Sequence, residues 1–259
     1  MKFKKPKISV IIPTYNSAKT IKKTLLSIFF QSFKNFEIII VDSFSSDGTL
    51  QLIKTFKDSR IKIFHCPKFR GLSFARYYGA LMSKGEYLSF LDSDDNWNYK
   101  KLAEQLNFMK LKNSNFSCTK YHLIGKKFLK KEVNNSISKF NFNFLLVNRP
   151  IATSSVMVKR KNIIKMGKKF LKKGYAEDFL MWLGLLKKIK YCHYLNKDYV
   201  GIYLSSESRS FHFVKNYKAL FDIYKNYFDF KLTRIVVIYI LLIYKNFNKV
   251  LFKLKNYYL

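Results

Sequence analysis

Acidic residues are rare in this sequence, and several of them follow short apolar runs. The chain has 16 Asp and Glu residues against 49 Lys and Arg residues. Five of the acids come soon after such a run: Asp42, Asp47, Asp92, Asp94 and Asp95. The segment Asp92-Ser93-Asp94-Asp95 places three carboxylates in four residues, which repel one another unless a cation compensates them. Because Mg²⁺ and Mn²⁺ prefer oxygen ligands and bridge to phosphates, the segment predicts a site for a divalent metal and a diphosphate.

Turn chemistry is the ordinary alternative for these acids. Asp, Ser and Asn form turns and helix caps through hydrogen bonds to nearby backbone groups. This alternative accounts well for Asp47, which can cap a helix, and partly for Asp42. It accounts poorly for the acidic segment 92–95, because three carboxylates so close together repel one another.

The elements that must position these acids alternate in type along the first hundred residues. Four apolar runs have the length of buried strands: Ile8 to Ile12, Phe36 to Val41, Ile61 to Phe64 and Tyr87 to Leu91. Helical patterns lie between them: Ala18 to Phe30, Asp47 to Phe56 and Leu72 to Met82. Strand, helix and strand in repetition predict an α/β fold with a doubly wound, mostly parallel sheet flanked by helices. Ligands of such sheets bind at the carboxyl ends of the strands, so the acids are expected to converge there.

The pattern is less regular after residue 100. We predict two helices and a short strand in this part: Lys101 to Leu111, Glu177 to Lys188 and, for the strand, Ser154 to Val158. A polar and basic stretch covers 125–138, and a basic segment with a helical pattern begins at Phe213.

The composition limits the partners of the chain. A hydrophobic fraction of 48% with 18% aromatic residues argues against intrinsic disorder. The formal net charge of +33 calls for a nucleic acid, an anionic membrane or a phosphorylated substrate. Codon bias of an A/T-rich genome is the alternative source of part of this charge. We expect no nucleic-acid partner, because no RNA- or DNA-binding motif is present and the acids cluster where a nucleic-acid groove needs Lys and Arg.

The cysteines and the first residues carry little further chemistry. Cys66, Cys118 and Cys192 stand far apart, which argues against a disulfide framework or a zinc ribbon. The apolar run that begins at Ile8 meets Pro13 without a small-residue cleavage site, so we interpret it as a strand and expect a cytoplasmic chain.

Three ordered motifs resemble a known family. The run ISVIIPTYNSAKTIKKTLLSIFFQSFKNFEIIIVDSFSSDGT is followed by GLSFARYYGA and GEYLSFLDSDDNW. Together they resemble the nucleotide-sugar-binding half of a family 2 glycosyltransferase with the GT-A fold, of the bacterial surface-polysaccharide type. The resemblance covers about residues 7–110 and extends more weakly to about residue 205. It implies an inverting, metal-assisted transfer of a hexose or N-acetylhexosamine from a nucleotide-sugar to a glycan or lipid-linked acceptor.

The resemblance also implies the residues that bind the donor. Pro13 and Tyr15 match the loop that lines the base and ribose, although Tyr15 as a packing residue is the alternative. Asp42 matches the first of two paired acids, but Ser43 stands at the second, where the family often has an Asp that contacts uracil; a UDP-sugar is the expected donor. Arg76 matches a basic residue that faces the donor, with a surface residue as the alternative.

The acidic segment matches the DxD region of the family. In this resemblance Asp92 and Asp94 contact the donor, and Asp94 and Asp95 hold Mn²⁺ or Mg²⁺. Glu177 and Asp178 match the family's ED motif, which implies Asp178 as the base that deprotonates the acceptor hydroxyl and Glu177 as a supporting residue that binds substrate. Acids that complement the helix macrodipole are the alternative for this pair.

No histidine is predicted as a site residue. A family turn after the ED helix carries a His, and Ser206 stands at that position here. Arg209 or His212 could substitute, and a solvated loop is the alternative. The other histidines are interpreted as packing or surface residues: His65, His122 and His193.

Three regions follow from these observations. We expect a nucleotide-sugar-binding half over 1–100, an acceptor-side and catalytic-base region over 101–212, and a basic amphipathic helical tail over 213–259. The nine-residue run Ile235 to Ile243 is too short to cross a bilayer. We expect the tail to bind an anionic membrane from the cytoplasmic side, with packing on the domain as the alternative. A non-catalytic nucleotide-sugar-binding or scaffold protein is the alternative function.

Overall fold

The structure is a computed structural model that describes residues 5–66, 71–125, 137–204 and 212–255. Most of the predicted polar stretch 125–138 lies outside the described residues, as do Ser206 and Arg209.

The first hundred residues form four parallel strands with helices between them. The strands are β1 (Ile8–Thr14), β2 (Phe36–Asp42), β3 (Ile61–His65) and β4 (Tyr87–Phe90), and the helices are α1 (Ile21–Phe29), α2 (Thr49–Lys54) and α3 (Leu72–Met82). Every residue of β1, β2 and β4 is buried, because both faces of this part of the sheet are covered.

The remaining elements extend the same sheet and cover it. They are β5 (Asn96–Trp97), α4 (Lys101–Leu111), β6 (Phe116–Ile124), β7 (Lys139–Phe140), α5 (Phe142–Asn148), a 3₁₀ turn (Thr153–Ser155), β8 (Met157–Lys159), α6 (Arg160–Met166), α7 (Glu177–Leu186), β9 (Cys192–Tyr203), α8 (Phe213–Asp222), a π-helical turn (Ile223–Tyr227) and α9 (Leu232–Lys255).

The strands lie in the order β3-β2-β1-β4-β8-β6-β9-β5, and β7 pairs with β9. The pairs among β1 to β4 are parallel, whereas β8 runs antiparallel to both β4 and β6. The strands before and after residue 100 thus belong to one mixed sheet. The boundary that we predicted at residue 100 between the first two regions stays a prediction.

Strand register places the strand ends at one edge of the sheet. Thr14 of β1 is the register partner of Asp42 in β2, and Asp42 is the partner of His65 in β3. At the other side of the edge, the backbone N–H of Tyr203 at the end of β9 donates to Asp95 Oδ1 at 3.2 Å. Ser17 Oγ after β1 lies 2.8 Å from Ser93 Oγ after β4, so the polar segments after β1, β2 and β4 meet in space.

Two hydrophobic clusters occupy the two faces of the sheet, because alternate strand residues point to opposite faces. Ile11 and Ile39 belong to one cluster, and Ile12 and Ile38 belong to the other. The first cluster is centred on Trp182 of α7, whose ring lies 5.6 Å from that of Phe90 and 5.7 Å from that of Phe116.

Over residues 232–244, where the structure describes the side chains of α9, this C-terminal helix packs one face on the first cluster. Its buried residues Ile235, Ile238 and Leu242 recur at helical spacing. Other apolar residues of the helix are exposed: Val236, Val237, Ile240, Leu241, Ile243 and Tyr244. Among the described residues, no helix has the length and apolar character that a membrane span requires.

Candidate active site

Hydrogen bonds join the loops that follow β1 and β2. The backbone N–H of Asn16 donates to Ser45 Oγ at 2.9 Å, and the backbone N–H of Ser46 donates to Asn16 Oδ1 at the same distance. The backbone N–H of Ala18 donates to Asp47 Oδ2, also at 2.9 Å. Two loops that are 30 residues apart in sequence thus form one rigid rim at the edge of the sheet.

Asp42 lies inside this rim and not on its surface. Its side chain is buried, Oδ1 accepts from Ser45 Oγ at 2.6 Å, and Oδ2 accepts from the Ser45 backbone N–H at 3.1 Å. In this arrangement Asp42 positions the loop, and its contact with the donor stays a prediction. Pro13 is buried within β1, whereas Tyr15 is exposed at the rim.

Arg76 connects the acidic segments of the site. Its side chain on α3 is only 2% exposed, which contradicts the alternative of a surface residue, and its Nη2 donates to Asp92 Oδ1 at 2.6 Å. Burial by itself would lower the pKa of Arg76, but the charges of Asp92, Asp178 and Glu177 outweigh it and raise that pKa. The guanidinium is therefore held as a cation between the predicted metal segment and the predicted base.

The three carboxylates after β4 have different environments. Asp92 is half-buried beside Arg76, Asp94 is exposed, and Asp95 is buried. Asp95 Oδ2 accepts from Ser154 Oγ at 2.5 Å, and its Oδ1 accepts the bond from Tyr203. Burial and the charges of Asp92 and Asp94 raise the pKa of Asp95 well above its ordinary value. The structure thus separates the two predicted metal ligands, with Asp94 toward solvent and Asp95 toward the protein.

The donor chemistry of this segment fits a hard divalent cation. Asp92 and Asp94 supply carboxylate oxygens, and a nearby cation would offset the repulsion that raises the pKa of Asp95. Within the described residues, no group of three or more His, Cys, Asp and Glu side chains is arranged to hold a metal ion. Any such site would therefore need oxygens from the substrate or water, as is usual for Mg²⁺.

Glu177 and Asp178 point to different partners at the start of α7. Glu177 is buried, and its Oε2 accepts from the Ser73 backbone N–H in the first turn of α3 at 2.9 Å. Asp178 is half-buried, its Oδ1 accepts from the Phe179 backbone N–H at 2.8 Å, and its Oδ2 accepts from Thr153 Oγ1 at 3.2 Å. Glu177 therefore fixes the helix to α3, and Asp178 keeps a side toward solvent.

The 3₁₀ turn before β8 contributes residues that sequence reasoning missed. Thr153 contacts Asp178, while Ser154 bonds to Asp95 and accepts from the Asp92 backbone N–H at 3.1 Å. The prediction placed Ser154 at the start of a strand, but the strand begins only at Met157. A cluster of three hydroxyl residues before an apolar run was the available signal, since such clusters mark turns and caps.

One histidine borders this constellation: His65 Nδ1 lies 3.7 Å from Asp42 Oδ2, with its ring exposed. The other histidines that the structure describes form contacts elsewhere. His122 Nδ1 lies 2.9 Å from Asp198 Oδ1, and His193 Nδ1 lies 2.9 Å from Ser114 Oγ. The ring of His212 packs edge-on against Tyr175 at 5.7 Å. These contacts agree with the interpretation of His122 and His193 as packing or surface residues.

Comparison with known proteins gives a consistent result. Residues 9–167 match the model of the family described as glycosyl transferase family 2. The chain is 36% identical over 181 residues to the UDP-Glc:alpha-D-GlcNAc-diphosphoundecaprenol beta-1,3-glucosyltransferase WfaP of Escherichia coli, with 70% of each chain covered. It is 31% identical over 239 residues to the enzyme WfgD of the same printed activity and organism, with 88% of this chain and 89% of the relative covered. It is 33% identical over 192 residues to the putative teichuronic acid biosynthesis glycosyltransferase TuaG of Bacillus subtilis, with 71% and 73% covered.

A solved structure shares the fold. The crystal structure of Staphylococcus aureus TarS 1–349 in complex with UDP-GlcNAc superposes with a TM-score of 0.71 at 21% identity, covering 91% of this chain and 70% of the other. This likeness confirms the predicted GT-A fold.

Proposed function

Because this chain belongs to glycosyl transferase family 2, we propose that it transfers a hexose, with glucose the leading candidate, from a UDP-sugar to a sugar hydroxyl on a lipid-linked diphosphate. The predicted family, the predicted glycosyltransferase activity and the surface-polysaccharide type are confirmed by the family match and the named relatives. The alternative of a non-catalytic scaffold is set aside. The finer proposal of sugar and acceptor draws on WfaP and WfgD, whose printed activities name UDP-Glc and a GlcNAc-diphosphate lipid.

The observation that carries the proposal is the position of Asp178. Its carboxylate is oriented at both oxygens by Phe179 and Thr153, and it lies within the electrostatic reach of Arg76. Arg76 in turn binds Asp92 of the acidic segment after β4. The buried cation thus has the proposed base on one side and the proposed diphosphate-binding segment on the other. This arrangement suits a displacement at the anomeric carbon of a donor bound between them.

The reaction that we propose is a single displacement with inversion. Asp178 accepts the proton of the acceptor hydroxyl while that oxygen forms its bond to the anomeric carbon of the donor. The bond from the anomeric carbon to the diphosphate oxygen breaks in the same step, and UDP leaves with the electron pair. Thr153 and the start of α7 hold the Asp178 carboxylate in one orientation, so little reorganisation accompanies the proton transfer.

We assign a divalent metal to the acidic segment, with Asp94 and Asp92 as its ligands. Asp95 supports the segment from inside through its bonds to Ser154 and Tyr203. When bound, Mn²⁺ or Mg²⁺ neutralises the negative charge that develops on the departing diphosphate.

The experiment that tests the base assignment compares two isosteric variants of adjacent residues. Asp178→Asn removes the proton acceptor, so we expect turnover to fall by about 10²-fold or more while the affinity for UDP stays nearly unchanged. Glu177→Gln is the matched control, because the amide oxygen can still accept from the Ser73 N–H, and we expect it to keep turnover within about tenfold. Turnover is measured with UDP-Glc and a GlcNAc-diphosphate lipid, and affinity by calorimetry.

Two results would contradict the proposal. Normal turnover of Asp178→Asn would exclude Asp178 as the base. A product that retains the donor's anomeric configuration, measured from the coupling of the anomeric proton, would exclude the single displacement.

We further propose that the chain works at an anionic membrane surface on the cytoplasmic side. The exposed apolar face of α9 supports this proposal, since a lipid-linked acceptor would lie in that surface. The excess of 33 positive charges over the chain adds electrostatic attraction to anionic lipids.

A further inference from the structure

We infer that Phe44 is a further binding residue of the donor site, and that it holds the nucleobase by stacking together with Tyr15. This inference rests on the proposed function and extends it to the recognition of the base. Its consequence is a site that distinguishes weakly between uracil and cytosine.

The position of Phe44 follows from the register of the sheet. Thr14 and Asp42 are partners at the ends of β1 and β2, so Tyr15 and Phe44 follow at the same edge. Phe44 is 58% exposed and Tyr15 is 52% exposed, although large aromatic rings are normally buried. Two aromatic rings therefore face solvent at the edge where ligands of doubly wound sheets bind.

The backbone of Phe44 is held in a conformation that its side chain disfavours. Its φ angle is +65°, in the left-handed region that favours glycine. Three hydrogen bonds described above impose this turn, since Ser45 binds the Asp42 carboxylate twice and Ser46 binds the Asn16 side chain. Strain that the surrounding structure maintains at a solvent-facing residue is typical of binding sites.

The carboxylate that could bind the polar edge of a base at this position is buried. Asp42 is fully buried and both of its oxygens accept hydrogen bonds from Ser45. Ser43 is buried as well. The exposed side chains at the start of this loop thus present an aromatic face and no carboxylate, and stacking on such a face tolerates different bases.

The test measures the binding of UDP and CDP by calorimetry to the wild type and to two variants of the full chain. UDP and CDP have rings of the same size but opposite hydrogen-bonding groups at the base edge. We expect the wild type to bind them within about tenfold of each other, whereas recognition through polar groups at the edge separates such ligands by far more. Phe44→Gly should weaken the binding of both nucleotides roughly 5- to 100-fold, as expected for a lost base–aromatic stack.

Thermal stability separates binding from a structural role. Because glycine accepts a positive φ angle, Phe44→Gly should melt at the same or a higher temperature than the wild type while it binds UDP more weakly. Phe44→Leu keeps an apolar side chain and the strain, and it should also lose UDP affinity. In turnover assays both variants should raise KM for the donor and leave kcat close to the wild-type value.

The outcomes distinguish this inference from the proposed function. Wild-type UDP affinity in both variants, or discrimination of more than about a hundredfold between UDP and CDP by the wild type, would overturn the role of Phe44 alone. A wild type that binds neither nucleotide would overturn the proposed donor and this inference with it.

Discussion

The guanidinium of Arg76 lies 2.6 Å from the carboxylate of Asp92, and this pair of a buried arginine and a half-buried acid joins α3 to the segment after β4. The same cation is close enough to Glu177 and Asp178 for their charges to raise its pKa. Arg76 thus compensates Asp92, which follows β4, together with the two acids at the start of α7. A lysine would supply the charge but not the planar fork that can serve several carboxylates.

We expect Arg76→Met to lower the free energy of unfolding by about 3 kcal/mol, because it leaves these acids without their buried partner. Lys197→Met is the control, since Lys197 forms a more exposed pair with Glu104 at 2.6 Å, and its loss should cost less than about 1 kcal/mol. Urea denaturation measures both. Equal losses in the two variants would contradict a special role of the Arg76 pair.

The sequence predicted the donor half of the site well because local signals determine it. The apolar runs before Tyr15 and Asp42 have the length and composition of buried strands, and all four predicted strands are present within three residues of their expected ends. The sheet topology alone then brings the loops together. The convergence of these loops could therefore be predicted without knowledge of any individual contact between distant residues.

The acceptor side was predicted poorly because long-range contacts determine it. Strands β6 (Phe116–Ile124) and β9 (Cys192–Tyr203) were not predicted, and they combine buried residues with half-buried or exposed polar ones. Their pairing also shifts register near Lys120, which breaks a regular alternation. Thr153 reaches Asp178 only through the tertiary fold, so no sequence spacing indicates the contact. Likewise, the sequence presents Asp94 and Asp95 alike, and only packing buries one of them.

Gly71 provides a test of the contact between α3 and α7. Its φ angle is +95°, and a Cβ there would lie 2.7 Å from Glu177 Oε2 and 3.0 Å from the Lys173 Cα. We therefore expect Gly71→Ala to displace Glu177 and the start of α7, and to lower kcat by about tenfold or more, since small misplacements of catalytic groups are costly. Steady-state assays with the wild-type substrates measure this effect.

Gly48→Ala is the matched control for Gly71→Ala. Gly48 also has a positive φ angle, +87°, but a Cβ there meets no atom within 4 Å. Gly48→Ala should lower the free energy of unfolding by about 1 kcal/mol because of backbone strain, and it should leave kcat unchanged. A normal kcat in Gly71→Ala would show that the α3–α7 contact does not position the base.

The exposed face of α9 predicts membrane binding that depends on apolar contact. Replacing Val237, Ile240 and Tyr244 with Ser removes exposed apolar side chains but leaves the buried face of the helix intact. We expect the triple variant to lose most of its cosedimentation with vesicles that contain anionic lipid, because binding strength scales with buried apolar area. Its fold, measured by circular dichroism, should be unchanged.

Leu111→Ser provides the control for the α9 variant. Leu111 is a strongly exposed apolar residue at the end of α4, outside the C-terminal helix. The Leu111→Ser variant should bind vesicles as the wild type does. If the α9 variant also binds like the wild type, the face of α9 is not the membrane contact, and charge attraction alone would account for any binding.

Lys101 predicts an unusual dependence of stability on pH. Its side chain on α4 is fully buried, with Nζ donating to Ser89 Oγ and lying 3.7 Å from the centre of the Trp97 ring. Burial lowers the pKa of Lys101 well below its ordinary value. In the pH range between this lowered pKa and the unfolded value near 10.4, Lys101 binds a proton in the unfolded chain but not in the folded chain. The free energy of unfolding therefore rises with pH in this window, and below it the full cost of burying the charge remains.

Lys101→Met should remove this cost. We expect the variant to be as stable as the wild type or more stable at pH 7, by up to a few kcal/mol, and to lose the rise in stability toward alkaline pH. Lys100→Met, at the adjacent exposed position, should leave both the stability and its pH dependence close to those of the wild type. Urea denaturation between pH 6 and pH 10 compares the three proteins. A loss of more than about 1 kcal/mol in Lys101→Met at pH 7 would mean that the bonds of the ammonium group to Ser89 and Trp97 outweigh its desolvation.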